Sequence, residues 1–147
     1  MKVTNFGLVN IVNVLQGFAH KKLPQKISYA ITRNIMLFQK DYDCYIESLK
    51  NIFSQYEEHF VKNESGECMY NDNGVPIVDS EVSQEFNEEI AALLNIEIEI
   101  NPYYISEDVF DYDDIGSRYD TLSAMDIMNL QSILCNQEEG EKDEVSK

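Results

Sequence analysis

The sequence predicts an α+β domain, mainly helical, in which one long helix packs with two or three shorter helices and a small antiparallel sheet. Three patterns carry that reading: a sustained heptad seam in the first half of the chain, shorter amphipathic stretches around it, and an "IEIEI" alternation ending at Ile100. At 147 residues and 44% apolar composition the chain matches one ordinary domain, able to bury about two thirds of its unfolded surface. The compact domain is expected over 1–135. The remainder, "NQEEGEKDEVSK", has almost no apolar content and reads as a disordered acidic tail over 136–147.

The first helix is expected from Asn5 to Ala19, where Leu8, Ile11, Val12, Leu15 and Phe18 share a face and "KKLP" ends it. Asn10 and Asn13 fall on or beside that face, as packing contacts or as solvated edge residues. From Gln25 to about Val61, Ile31, Ile35, Phe38, Tyr42, Tyr45, Leu49, Ile52 and Tyr56 alternate at spacings of four and three, and no Gly or Pro interrupts after Pro24. One helix of ~37 residues would run ~55 Å, so it must pack along its length, pair with a second copy, or bend. "NDNG" between "ECMY" and "VPIV" reads as a tight hairpin turn joining two short strands, with Pro76 on an edge or outside the ladder. Asp79 or Ser80 can cap the next helix, whose apolar face is Val82, Phe86, Ile90, Leu93 and Leu94. Ile96 to Ile100 reads as a strand joining the hairpin. Ser123 and Asp126 form a capping-box pattern ahead of a last helix of about three turns. No internal repeat is read from the sequence.

Charge limits the function classes. Net charge is −16, divided as +3 over residues 1–63 and −19 over 64–147. Direct nucleic-acid binding is disfavoured and a basic partner is the natural complement. Three cysteines without C-x-x-C spacing fit a reducing compartment, no signal peptide is recognisable, and no run reaches the ~20 apolar residues of a membrane span. A cytoplasmic protein without membrane contact is expected. No P-loop, dinucleotide-binding glycine motif, nucleophile elbow or zinc-ligand spacing occurs, so neither an enzyme nor a cofactor is expected.

The stretch "ISEDVFDYDDIGSRYD", Ile105 to Asp120, concentrates six carboxylates and two tyrosines around one arginine. Asp111, Asp113 and Gly116 match three places of a calcium loop, but Ile115 and Leu122 stand where oxygen ligands are required, so no metal site is expected. Carboxylates imitate phosphate charge and tyrosines offer rigid contact area with a polar tip. Tyr103, Tyr104, Glu107, Asp108, Asp111, Tyr112, Asp113, Asp114, Tyr119 and Asp120 are therefore the expected partner-binding residues, and a purely solubilising acidic loop is the other reading.

Three segments, "LVNIVNVLQGFAHKKLPQKISYAITRNI", "FNEEIAALLNIEIEI" and "LSAMDIMNLQSIL", resemble a family of small acidic proteins of unknown function encoded by bacteriophages and prophages of Firmicutes. "KLPQKISYAITRNI", where a proline opens the long helix, is the most specific. The resemblance implies a phage origin and a non-enzymatic helical protein, and brings no catalytic residues. The Tyr/Asp-rich segment is longer here than the connector of that pattern. The expected function is inhibition: an acidic, nucleic-acid-mimicking surface occupying a basic site of a host defence or nucleic-acid-processing protein, for example a CRISPR nuclease. The alternative is a virion or assembly accessory acting through the long helix, which could also pair the chain as a homodimer.

Overall fold

The structure, a computed structural model, describes residues 1–112 and 118–137. It is an α+β fold, mainly helical, built on one long helix. In order come a strand β1 (Lys2–Thr4), helices α1 (Asn5–Phe18), α2 (Gln25–Gln55) and α3 (Ser83–Leu94), a strand β2 (Glu97–Glu99) and helix α4 (Ala124–Leu134). Single 3-10 turns occupy Glu57–His59 and Glu107–Phe110. The expected acidic tail lies outside the described residues from 138 onward.

The strand at "IEIEI" does not join the hairpin. It pairs antiparallel with the N-terminal β1, in the register Lys2↔Glu99, Val3↔Ile98 and Thr4↔Glu97. Three residues are too short to show a period, so "KVT" gave no strand signal ahead of α1. Thr4 then caps α1, its Oγ1 accepting from the Gly7 N–H at 3.1 Å. Asn10 and Asn13 are exposed. The buried polar residue of α1 is Asn5, whose Nδ2 donates to the Leu93 carbonyl at 2.9 Å and ties α1 to the end of α3.

The 31-residue α2 ends at Gln55, short of the expected Val61. No Gly or Pro stops it. Tyr56 leaves helical geometry (φ −110°, ψ 7°) with its ring packed edge-on against Phe86 at 5.0 Å, so tertiary packing ends the helix. The heptad seam is divided between two cores of the chain itself. Ile31 and Phe38 belong to a large core with Leu8, Leu15, Ile27, Phe110, Leu130 and Leu134, while Tyr56 joins Val78 and Phe86 in a smaller one. Tyr45 and Leu49 lie half-buried on the helix between.

Between α2 and α3 the expected turn at "NDNG" brings "ECMY" and "VPIV" together antiparallel through single bridges in place of full strands, and a third segment closes the pair into a turn assembly. Met69 N–H donates to Val61 O, Ile77 N–H to Met69 O, and Val61 N–H to Ile77 O, at 2.8 to 3.0 Å. The three donors stand eight residues apart. Two identical turns connect them: the Asn63 Oδ1 accepts from the N–H groups of Ser65 and Glu67, as the Asn71 Oδ1 does from Asn73 and Val75. Gly66 and Gly74 close them at φ of 82° and 78°, where a Cβ is strained. An eight-residue repeat is thus present that the side chains hide, because only Asn and Gly recur in it. Pro76 pairs with Tyr70 at a position whose bonds come from residues 71 and 77, so its missing N–H costs nothing. α3 starts at Ser83, not after Asp79 or Ser80, and has no side-chain cap. Asp79 is engaged elsewhere: its N–H donates to the His59 carbonyl, and its carboxylate lies 3.6 Å from the His59 Nδ1. The Ser123/Asp126 capping box of α4 forms as expected.

Candidate functional site

The expected binding stretch follows β2 as a strap across the first half of α2 toward α4. Its first anchor is Asn34, fully buried on α2. The Asn34 side chain accepts from the Tyr103 N–H at 2.7 Å and donates to the Tyr103 carbonyl at 2.9 Å, replacing the partners a strand neighbour would supply. The Ile105 N–H donates to the Leu134 carbonyl at 2.8 Å, and Phe110, 5% exposed, enters the large core. Glu107, Asp108 and Asp111 therefore stand exposed on a short turn whose backbone is fixed on both sides.

The ten expected residues have unlike roles. Tyr103 is a scaffold residue: its ring meets Tyr29 edge-on at 5.7 Å and carries the Arg33 guanidinium 4.4 Å from its centroid. Asp120 is also structural, since its Oδ2 accepts from the Lys22 N–H at 2.8 Å and its own N–H donates to the Lys22 carbonyl at 2.7 Å. The Tyr112 hydroxyl donates to the Asp120 carbonyl at 2.9 Å, and its ring packs edge-on against Tyr119, itself beside Arg118. Asp113 and Asp114 lie outside the described residues, as does most of the calcium-loop match. Tyr104, Glu107, Asp108 and Asp111 remain as the exposed members of the set.

An open cleft of about 970 Å³ separates the strap from the start of α2. Tyr104, Ser106 and Asp108 line one side, with Gln25, Lys26 and Tyr29 opposite. Neither histidine lines it. Cys135, in a neighbouring hollow of about 340 Å³, is held as a thiol, because burial and then the nearby Glu107 push its pKa to about 11. Among the described residues no three His, Cys, Asp or Glu side chains gather as a metal site, and no helix is long and apolar enough to cross a membrane. The cleft can bind by charge and aromatic contact through Lys26, Asp108, Tyr29 and Tyr104.

Sequence reasoning missed Asn34, Arg33 and Tyr29. Asn34 had a signal: it falls on the buried face, between Ile31 and Phe38, where a polar residue demands partners. Set against protein-family models, curated proteins and solved structures, the chain matches none of them.

Proposed function

We propose that the chain is a non-enzymatic binding protein whose strap docks Tyr104, Glu107, Asp108 and Asp111 into a basic site of another protein. The observation that carries this is the anchoring of the strap by Asn34, Ile105 and Phe110, which presents three exposed carboxylates on a fixed backbone. A preorganised acidic face loses little entropy on binding, and complementary fields accelerate encounter. Where the basic site normally holds nucleic acid, the strap acts as a mimic. A phage-encoded inhibitor of a host defence nuclease, active in the host cytoplasm, is the specific form of this reading. The assembly alternative has less support, since Ile31, Phe38 and Tyr56 of the long-helix seam pack inside the chain itself.

The test is capture from bacterial lysate by the tagged chain and by a Glu107→Lys/Asp108→Lys/Asp111→Lys protein, at low and high salt. Partners held by the native chain should be lost to the triple substitution and reduced by salt. A partner set that neither treatment changes contradicts the proposal.

A further inference from the structure

All 27 carboxylates of the chain follow residue 40, and the first forty residues carry six cations and no acid. Three of these cations, Lys26, Arg33 and Lys40, stand seven residues apart on α2 and so form one row along its axis. All three are exposed, and among the described residues no carboxylate lies within ion-pair distance of any of them. Beside the row stand large apolar side chains that the fold leaves uncovered: Tyr29 is 53% exposed, Met36 73% and Leu37 47%. With Thr32 and Arg33 they line a hollow of about 360 Å³. Arg33 is preset, its guanidinium stacked on Tyr103 and its Nη1 donating to the Tyr29 hydroxyl at 3.3 Å.

We propose that the outward face of α2 between Lys26 and Lys40 docks an acidic amphipathic helix of another protein. The chemistry selects that occupant. Cations with no carboxylate partner among the described residues, on a molecule of net charge −16, call for carboxylates, and the net charge disfavours nucleic acid as their source. A row with a seven-residue period runs along the helix for ~21 Å, which an apolar stripe with acidic flanks on a second helix matches over its length. Pairing this face with its own copy would set cation rows against each other. The proposal does not depend on the carboxylates of the strap binding a partner, although Lys26 and Tyr29 also line the cleft beside the strap.

The experiment uses the full chain and two fluorescein-labelled synthetic helices, one with a leucine stripe flanked by glutamates and its twin with lysines in place of glutamates. Anisotropy should show binding of the glutamate helix and weaker or no binding of the lysine helix. An Arg33→Glu/Lys40→Glu protein should lose about tenfold in affinity for the first and gain affinity for the second. Met36→Glu, at an exposed position, should weaken the glutamate helix without changing the melting temperature. Equal binding of both helices, no binding, or binding indifferent to the charge reversal overturns the proposal. So does a dimer in sedimentation velocity that Met36→Glu dissolves, which would assign the face to a second copy.

Discussion

Asn34 fixes the strap through two short hydrogen bonds to one residue, Tyr103, and a third to its own helix at the Ala30 carbonyl. Replacing it with alanine leaves the Tyr103 N–H and carbonyl without partners at a part-buried position. Asn34→Ala should cost about 2–3 kcal/mol by urea denaturation and raise hydrogen exchange at Tyr103. Cys135 makes a second prediction at this scale. Its folded pKa of about 11 lies above the ~8.5 of a free thiol, so its contribution to stability is intact below that value and is lost as pH rises toward 11. Stability measured between pH 8 and 11 should fall, and the fall should be shallower in Cys135→Ser. Burial also shields the thiol from alkylation, so iodoacetamide should modify the exposed Cys44 first and Cys135 last.

The same residue type has opposite effects in different elements. Gly66 and Gly74 sit at positive φ with open space around them, so alanine there costs only conformational strain, about 1 kcal/mol each. Gly17 lies within α1 and an added Cβ meets nothing, so Gly17→Ala should stabilise by about 0.5–1 kcal/mol. Thermal melts of the three proteins check both signs. These contrasts mark what was legible in the sequence. The helices of α1, α2 and α4, and the capping box at Ser123, were legible because their apolar spacing and cap chemistry are local. The end of α2 was not, since it depends on Tyr56 meeting Phe86 across the chain. Nor was the partner of β2, because pairing of residues 93 to 97 apart leaves no local trace. The acidic strap was legible as a candidate site by composition. The sorting of Tyr103 and Asp120 into scaffold, and of Glu107, Asp108 and Asp111 into the exposed face, required the positions of Asn34 and Lys22.

Across the whole molecule, α2 joins two cores: the large one carries the strap, and the small one packs the turn assembly at the far end. Phe86 is 1% exposed and central to the small core, so Phe86→Ala should cost about 3–4 kcal/mol there. In hydrogen exchange it should loosen Tyr56 to Val82 before the strap. Charge follows a different division, with an entirely cationic first forty residues and every carboxylate beyond them. The cleft beside Tyr29 lies where these meet, with Lys26 on one wall and Asp108 on the other. The central claim, that the chain acts by binding through the exposed carboxylates of its strap, is tested most directly by hydrogen exchange on the native chain with a captured partner bound. Protection concentrated at residues 104–111, and weakened by salt together with the binding, is the result predicted. A complex that protects other surfaces and leaves 104–111 exchanging as in the free protein would contradict it.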